Sequence, residues 1–328
     1  MSHRENEGRI IQRKIKMFFR PLLQGAATGF HKGWDSFLWM MKIIIPISLF
    51  TTLIAWTQWL HYLDFLLKPV MGAINLPIAA TLPLLMGMLT GIYGGIAAMV
   101  VLPLTQEQMT LIGIFILMAH NLVQEGVIQG KSGINPYKAT LWRIGAATLT
   151  LILLTPWFNQ QSAATPLVRN IAAATPMPLL LPALKGWATS IIWLTIKAFL
   201  VITSLLTTLE MLKASGLIRY VVAFFAPFLK VMGLNRKLAF LWITAIFFGL
   251  AYGGSIIMEE SKGGALSREE LETLHLSIGI NHSLLEDTLL LVSLGLSPFW
   301  LYVPRLLMAI AAVHLFNFWR RCVTTTGI

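Results

Sequence analysis

The sequence predicts an all-α, polytopic integral membrane protein, built from two homologous repeats in an inverted arrangement with broken or re-entrant helices. Only 12% of the 328 residues are charged and the mean hydropathy is +0.72, whereas soluble domains carry about 25% charged residues. Apolar runs long enough to cross a bilayer recur along most of the chain. Two similar polar clusters interrupt these runs, one in each half of the chain.

The charge and cysteine content restrict the function classes. The formal net charge is +11, which in a soluble protein would indicate nucleic acid as a partner. Basic cytoplasmic loops explain it better here, so the lipid bilayer is the expected partner and nucleic acid is not. The single cysteine, Cys322, excludes an intrachain disulfide and a multi-cysteine metal site. We expect a multi-pass protein of the cell (inner or plasma) membrane with a cytoplasmic N-terminus.

The elements of the first half follow one another as spans and connections. The first span is interrupted by Lys42 and Pro46, and a short amphipathic connector follows it. Next come a glycine-rich apolar run, a run with the first polar cluster, and a span in which Arg143 is expected to face the interior or an interface. The predicted segments are Trp34–Trp59, His61–Gly72, Leu76–Leu104, Met109–Ile128 and Tyr137–Phe158.

After a linker rich in proline, alanine and threonine, the same pattern begins again. Short motifs recur in the same order, which predicts an internal duplication. The matched motifs are Gly33-Trp34 with Gly186-Trp187, Thr51-Thr52-Leu53 with Thr207-Thr208-Leu209, Val70-Met71-Gly72 with Val231-Met232-Gly233, Tyr93-Gly94-Gly95 with Tyr252-Gly253-Gly254, and Arg143 with Arg305. The predicted divisions are a basic cytoplasmic or interfacial segment (1–33), a first repeat (34–158), a surface linker (159–185), a second repeat (186–321) and a C-terminal tail (322–328).

Loop charge favours an inverted arrangement over a parallel one. The connector around residues 213–237 is strongly basic and its counterpart in the first half is neutral, so we expect them on opposite sides of the membrane. Every loop fits if the segment with the polar cluster enters and leaves on one side in each half. That arrangement has six crossings and two re-entrant elements, with the acidic segment 259–272 outside. The alternative, eight plain crossings in parallel repeats, would place the most basic connector outside.

The polar clusters are the candidate site, because ionisable residues inside a membrane are costly and usually functional. Their members are His120, Asn121, Gln124 and Glu125 in the first repeat and Asn281, His282, Glu286 and Asp287 in the second. Alignment of Glu125 with Glu286 places Asn121 opposite His282. We therefore predict that the two glutamates face each other across the repeat axis near mid-membrane, with Asn121 and His282 one helical turn away.

Glycine motifs in the preceding runs are a second candidate feature. They are Tyr93, Gly94 and Gly95 in the first repeat and Tyr252, Gly253 and Gly254 in the second. Glycine lets a helix break or lets another backbone approach closely. A broken helix would expose amides and carbonyls that could bind a ligand in a buried or wet cavity. Close helix packing without a ligand is the alternative interpretation.

Three interpretations of the polar clusters stay open. Amides and carboxylates could bind a small polar solute through hydrogen bonds. Histidine and carboxylate could bind a cation, with His282, Glu286 and Glu125 as the candidate metal ligands. The clusters could also only bridge helices. Catalysis has little support, because the sequence contains no zinc-protease, nucleophile-elbow or phosphate-loop motif, and no cofactor is expected.

The duplicated unit, a glycine-rich broken span followed by a segment with histidine or asparagine and glutamate, resembles the nucleoside-recognition or Gate domain. Such domains also occur in spore maturation proteins A and B, in the membrane part of the ferrous-iron transporter B family and in concentrative nucleoside transporters. The resemblance covers residues 34–158 and 186–320 and implies transport or solute gating. The iron transporters also carry a GTP-binding domain, which this chain lacks, and a cysteine where this chain has Tyr93 and Tyr252.

The leading hypothesis is a non-enzymatic transporter or permease that moves a small polar solute through a midplane site between the repeats. Nucleosides are one candidate class of substrate. A divalent-metal permease, for example for ferrous iron, is the first alternative. A membrane assembly factor without transport activity, like the spore maturation proteins, is the second. A homo-oligomer or a membrane partner is compatible with each hypothesis.

Overall fold

The computed structural model describes residues 2–57, 69, 71–158, 180–225, 227–262, 264 and 266–325, with side chains except at 2–19, 221, 222, 248, 251, 252, 255, 262 and 323–325. The described part of the chain is helical and contains no strand. Its α-helices are α1 (Ser2–Trp56), α2 (Thr81–Thr90), α3 (Ile92–Met99), α4 (Gln106–Ala119), α5 (Leu122–Lys131), α6 (Pro136–Leu154), α7 (Leu180–Ala214), α8 (Ile218–Phe225), α9 (Phe228–Val231), α10 (Ala239–Lys262), α11 (Arg268–Asn281), α12 (Glu286–Ser293) and α13 (Pro298–Thr325).

Among the described residues, five helical stretches are long and apolar enough to cross a membrane. They are Arg20–Trp56, Gln106–Lys131, Pro136–Trp157, Leu180–Ala214 and Pro298–Cys322. Large apolar side chains on them point outward, among them Trp39 and Leu200. A lipid environment covers such side chains without cost. The protein is therefore a polytopic, all-α membrane protein, which confirms that part of the predicted fold class.

The predicted segment boundaries can be compared with the helices of the structure. The boundary at residue 33 falls inside α1, which is one continuous helix. The linker 159–185 is described only from Leu180, where α7 begins, and the connector His61–Gly72 lies largely outside the described residues. The helix α13 continues to Thr325, beyond the predicted end of the second repeat at 321.

The helices α1 and α7 pack antiparallel along most of their length. Three glycines spaced four residues apart on α1 face α7; they are Gly25, Gly29 and Gly33. A Cβ atom at Gly29 would lie 2.4 Å from the Thr207 Cα atom, so glycine permits this approach. Further along, the Trp187 indole donates a hydrogen bond to Ser48 Oγ at 3.0 Å. The pair joins the two halves of the chain, and we call it the α1–α7 seam.

Two glycine-rich segments form helical hairpins. In the first hairpin, α2 ends at Gly91, whose φ of 93° and ψ of −179° suit only glycine, and α3 turns back along it. A Cβ atom at Gly95 would lie 3.2 Å from the Gly87 Cα atom, so the two arms touch. The second hairpin is α10, which turns at Gly249 with a φ of 75° and a ψ of 172°. Both segments are broken, as the sequence predicts.

The first polar segment is a broken helix that continues in one direction, and we call it the first rod. Its first part, α4, ends at His120, and α5 begins after Asn121, whose φ of 47° is left-handed. The helix α6 returns along both parts. Arg143 of α6 binds the end of α4, and Thr140 lies beside Gly126 of α5.

The second rod consists of α11 and α12, with its break at His282 and at Ser283, whose φ is 51°. The prediction that the polar segments enter and leave on one side is wrong, because the hairpins take that role. One extended residue followed by one left-handed residue displaces a helix axis without reversing it. The backbone at Gly91 and Gly249 instead reverses the chain. The sequence marks a break in each segment but does not reveal its angle.

The two rods run in opposite directions. Gln106, at the start of the first rod, donates a hydrogen bond to the Gly295 carbonyl, just after the end of the second. Lys138, just after the first rod, pairs with Glu272 at the start of the second at 3.1 Å. Each rod therefore starts beside the end of the other, which is the relation expected of an inverted arrangement. The duplication itself stays a prediction.

We define the basic side of the protein as the side that carries the N-terminal end of α1. Because α1 and α7 are antiparallel, the basic connector 213–237 after α7 lies on this side. The acidic segment 259–272 lies there as well, since Lys237 pairs with Glu270 at 2.6 Å. The prediction that the acidic segment lies opposite the basic connector is wrong, because α10 turns back to the side from which it starts.

Glu270 also caps the second rod. Its carboxylate accepts a hydrogen bond from the Ser267 amide at 3.0 Å, and the Ser267 hydroxyl accepts one from the Glu270 amide at 3.2 Å, which is a capping box. The bond from Lys237, with that from the Ser267 amide, holds the pKa of the Glu270 carboxyl below its ordinary value. The start of the second rod is thereby tied to the basic connector.

Candidate functional site

The candidate site lies where the two rods meet, at the histidines that follow α4 and α11. His120 and His282 have extended backbones, with ψ of 163° and 162°, and both side chains are buried. In each ring, Nδ1 lies beside the carbonyl four residues earlier, at 2.7 Å from Ile116 and 2.9 Å from Ile278. A carbonyl can only accept a hydrogen bond, so each Nδ1 carries a proton and donates it. Each ring is thereby fixed with its Nε2 atom toward the other rod.

Four ionisable side chains meet at this point, and we call them the histidine–carboxylate cluster. The Nε2 atoms of His120 and His282 are 3.2 Å apart. Glu125 Oε1 lies 3.3 Å from the Nε2 atom of His120 and 3.1 Å from that of His282. Asp287 Oδ2 lies 3.5 Å from His120 Nε2. All four residues are at most 6% exposed, so water does not screen these charges.

A buried arginine supports the cluster from the first half. Arg143 donates from Nε to the Met118 carbonyl at 2.9 Å and from Nη2 to the His120 carbonyl at 2.7 Å. These carbonyls have no helical partner because α4 ends there, and a cation is favourable at a helix C-terminus. The remaining nitrogen, Nη1, pairs with Glu125 Oε2 at 2.6 Å. The arginine thus stabilises both the helix break and the carboxylate.

The second half has the same arginine but not the same ion pair. Arg305 donates from Nε to the Ile280 carbonyl at 2.7 Å and from Nη2 to the His282 carbonyl. Aspartate at 287 is one methylene shorter than the glutamate at 125. Among the described side chains, neither Asp287 Oδ2 nor Arg305 Nη1 has a hydrogen-bond partner. The cluster therefore contains a buried carboxylate oxygen whose bonding capacity is unused.

The predicted pairing of the polar residues is wrong by one position. Each arginine binds the carbonyl of the histidine 23 residues before it, so His120 and His282 occupy equivalent places. Each histidine is followed five residues later by the carboxylate of the cluster, which is Glu125 in one half and Asp287 in the other. The sequence alignment matched glutamate with glutamate and thereby chose Glu286.

Glu286 does not meet Glu125 but contacts the first hairpin. Its Oε1 atom accepts a hydrogen bond from the Tyr93 hydroxyl, and Glu286 is half-buried. The Tyr93 ring also lies edge-on against Trp39, with centroids 6.3 Å apart. This contact joins the first hairpin to α12 of the other half, beside the cluster. Of the three candidate metal ligands, Glu125 and His282 belong to the cluster and Glu286 lies outside it.

The remaining predicted polar residues lie near the cluster without joining it. Asn121 donates a side-chain hydrogen bond to Gln124 at 2.9 Å, and Gln124 is exposed. Asn281, just before His282, is fully buried, and neither polar atom of its side chain has a partner among the described residues. Asn121 is therefore a residue of the helix break rather than a counterpart of His282.

The glycine motifs pack closely against neighbouring helices. A Cβ atom at Gly253 would lie 2.6 Å from the Ala245 Cα atom, and one at Gly254 would lie 2.4 Å from Ile128 of the first rod. Gly94 is also crowded, with Thr90 Oγ1 at 1.9 Å from such an atom. These distances favour the packing interpretation for the glycines that follow each turn.

The tyrosines of the two glycine motifs are not equivalent. The hairpin turns are at Gly91 and Gly249, and counting from them places Tyr93 opposite residue 251. The predicted match of Tyr93 with Tyr252 is thus shifted by one position. The side chain of Tyr252 lies outside the described residues.

A buried contact that the sequence analysis missed lies beside the second rod. His275 Nε2 lies 3.2 Å from the Ser132 carbonyl, and Gln129 donates to the His275 carbonyl at 3.2 Å. His275 lies on α11 two turns before His282, at the i−7 position of the same helix face. That spacing was readable from the sequence, and it shows a second histidine on the buried face of the rod.

The fold and the site define a class of protein, a multi-pass helical membrane protein with a buried charged cluster where two broken helices meet. The chain is similar to YvoD of Bacillus subtilis (strain 168), an uncharacterized membrane protein, with 26% identity over 308 residues. The match covers 91% of this chain and 96% of YvoD, so it extends over nearly the whole of both proteins. No protein-family profile matches the chain, and no solved structure matches it.

Proposed function

We propose that the protein is a membrane permease whose transport pathway passes the histidine–carboxylate cluster. The observation that carries the proposal is the meeting of both rod breaks and both hairpin turns at one buried, charged place. The backbone N–H of Asn121, at the first rod break, donates a hydrogen bond to the Gly87 carbonyl of the first hairpin at 2.9 Å. The Ser283 amide at the second rod break donates to the Ala245 carbonyl of the second hairpin at 3.3 Å. Discontinuous helices that meet in this way form the substrate sites of many secondary transporters.

The charges of the cluster support a transport role over a purely structural one. A charged side chain at the centre of a bilayer costs at least about 2.5–3.5 kcal/mol. The cluster and its arginines bring together two carboxylates, two guanidinium groups and two imidazoles, all buried. Apolar residues of similar volume usually replace a buried ion pair without loss of stability. A function that needs these charged groups therefore explains their presence better than a structural role does.

The hairpins are the elements that could open the site to either side. The second hairpin, α10, starts and ends on the basic side, and the first, α2 with α3, starts and ends on the opposite side. Each hairpin turn covers one rod break. Movement of one hairpin would expose the cluster to one side of the membrane, and movement of the other would expose it to the other side. This is the geometry that alternating access requires.

The substrate class is a small polar solute or ion, and nucleosides are one candidate because of the resemblance of the duplicated unit to Gate domains. Imidazole and carboxylate groups at the cluster favour a cationic or hydrogen-bonding substrate. The basic side faces the cytoplasm of the cell membrane, because the N-terminal segment, the connector 213–237 and Arg320–Arg321 all lie there.

Uptake into proteoliposomes tests the proposal. Purified protein is reconstituted and screened with nucleosides, other small polar solutes and divalent cations, with and without gradients of H⁺ or Na⁺. We expect uptake that falls at least tenfold in Glu125→Gln, whose carboxylate belongs to the cluster. Glu272→Gln, which removes a carboxylate at the surface end of the second rod, is the matched control and should transport normally. No uptake of any class by folded wild-type protein, together with co-purification of a membrane partner, would support the assembly-factor alternative instead.

A further inference from the structure

We propose that the histidine–carboxylate cluster binds one divalent transition-metal ion, with His120, His282 and Asp287 as ligands and Glu125 as the fourth donor. The inference deepens the proposed function by naming the class of substrate, and in that respect it rests on the proposed function. The binding site itself rests on the geometry of the four side chains.

The orientation of the two imidazoles is the first argument. Each Nδ1–H donates a hydrogen bond to a backbone carbonyl, and the two Nε2 atoms of His120 and His282 therefore face each other at 3.2 Å. If neither Nε2 is protonated, two lone pairs oppose each other, and if both are, two N–H bonds collide. Either one proton shared by the two nitrogens or a metal ion bound by both resolves the conflict. Histidine ligands of metals are commonly fixed in this way, with the other ring nitrogen donating to a carbonyl.

The distances between the donor atoms are the second argument. A tetrahedral ion bound at 2.0–2.2 Å keeps its ligand atoms about 3.3–3.6 Å apart. In the cluster, Glu125 Oε1 lies 3.1 and 3.3 Å from the two imidazoles, which are 3.2 Å apart, and Asp287 Oδ2 lies 3.5 Å from His120. The donors of His120, His282 and Asp287 all lie within 4.8 Å of one another.

The unused oxygen of Asp287 is the third argument. This carboxylate is 4% exposed, and its Oδ2 atom faces His120 without a hydrogen-bond partner among the described residues. A buried polar atom without a partner is costly, so it usually has a ligand, a water molecule or a functional role. Glu125, by contrast, already pairs with Arg143, which leaves Asp287 as the carboxylate with free bonding capacity.

The donor set indicates which ions fit. Two imidazoles with carboxylates suit Zn²⁺, Fe²⁺, Mn²⁺ or Co²⁺, whereas Ca²⁺ and Mg²⁺ prefer oxygen ligands throughout. The two arginines do not cancel this preference. Each gives two of its nitrogens to carbonyls at the C-terminal end of a helix, where the helix dipole carries about half a negative charge.

Cobalt binding to the full-length protein in detergent tests the site. Co²⁺ is titrated into chelator-treated protein while the visible absorption of tetrahedral Co²⁺ is recorded, and Zn²⁺ is then added as a competitor. We expect one Co²⁺ per chain, displaced by Zn²⁺. Asp287→Asn and His120→Gln should weaken binding at least tenfold. His275→Gln removes another buried histidine of the same rod and is the control, which should bind as wild type does.

Two results would overturn the site. One is the lack of stoichiometric Co²⁺ or Zn²⁺ binding by folded wild-type protein, which would leave a shared proton as the species between the imidazoles. The other is unchanged affinity in the Asp287→Asn, His120→Gln double variant. If these variants do not fold, X-ray absorption spectroscopy of the Zn²⁺ complex of the wild-type protein tests the site instead. A Zn²⁺ coordination shell without two imidazole ligands would contradict the proposal.

Uptake measurements separate the metal site from the proposed function. Stoichiometric binding without metal uptake would refute the metal as the transported substrate and keep the binding site. Uptake of an organic solute that persists in the presence of a chelator would support the permease and contradict a metal substrate.

Discussion

A single methyl group at Gly29 tests the α1–α7 seam that joins the halves. The added Cβ atom would lie 2.4 Å from the Thr207 Cα atom and 2.7 Å from the Leu206 carbonyl oxygen. Both are backbone atoms, so a change of rotamer cannot relieve the overlap. Since ordinary contact begins near 3.4 Å, the two helices must separate by about 1 Å at this point.

The expected cost follows from this displacement. A gap of 0.5–1 Å removes about a quarter to a half of the dispersion energy of the atoms that line it, and overpacked sites typically lose about 1–3 kcal/mol. Alanine also favours a helix over glycine by up to about 1 kcal/mol, which offsets part of the loss. We therefore expect Gly29→Ala to lower the free energy of unfolding by about 1–2 kcal/mol.

Thermal unfolding of the detergent-purified protein measures the effect. Gly186→Ala is the matched control, because Gly186 lies on α7 and a Cβ atom there would meet nothing within 4 Å. The control should melt at or slightly above the wild-type temperature, since it reports helix propensity alone. A Gly29→Ala protein that melts as the Gly186→Ala protein does would refute the close approach of the two helices.

Three further substitutions give melting temperatures that check the site and the cap. Asp287→Glu lengthens the side chain by one methylene, so that its carboxylate can pair with Arg305 as Glu125 pairs with Arg143. The substitution should raise the melting temperature of the metal-free protein and weaken Co²⁺ binding at least tenfold. Arg143→Gln leaves Glu125 buried without its ion pair and should cost about 3–5 kcal/mol; adding Glu125→Gln should restore most of that loss. Glu270→Gln should lower the melting temperature at neutral pH, where the carboxylate with the lowered pKa stabilises the fold. That difference should vanish as the pH falls below about 4.3 and through the folded-state pKa, because the carboxylate then becomes protonated. A difference in melting temperature between Glu270→Gln and wild type that stays constant as the pH falls would contradict the role of this carboxylate. An Arg143→Gln, Glu125→Gln double variant as unstable as Arg143→Gln alone would contradict the buried ion pair.

The apolar helices were predictable because lipid imposes a simple rule, but the number of crossings was not. Six crossings were expected, whereas five helical stretches of the described residues are long and apolar enough to span a membrane. Every long helix that faces lipid must be apolar, so mean hydropathy locates it. The angle of a break has no such signature. Gly91 and the pair His120–Asn121 both interrupt apolar runs, yet the first reverses the chain and the second does not. Because the hairpins and the polar segments were assigned each other's roles, the prediction also placed the acidic segment 259–272 on the wrong side; its Glu270 pairs with Lys237 of the basic connector.

The four side chains that meet in the histidine–carboxylate cluster were among the predicted polar residues, but their pairing was not predicted. Because both residues are glutamates, the prediction paired Glu125 with Glu286. The equivalent positions are instead those at the same sequence separation from the arginine that binds each helix break. A better signal was present, since both halves contain a histidine, a carboxylate five residues later and an arginine 23 residues after the histidine. The three glycines of the α1–α7 seam were also readable, because small residues four apart are typical of close membrane helix contacts.

The break of each rod and the orientation of its histidine have one physical cause. A helix that ends inside a membrane leaves carbonyls without partners, and those carbonyls must be satisfied within the protein. At the end of α4, the carbonyls of Met118 and His120 accept from Arg143, and that of Ile116 accepts from the His120 ring. The bond that satisfies the backbone therefore also fixes the ring and turns its Nε2 atom toward the other rod. Since α11 ends in the same way, the helix breaks orient both imidazoles before any ligand arrives, and the carboxylates are left to adjust to it.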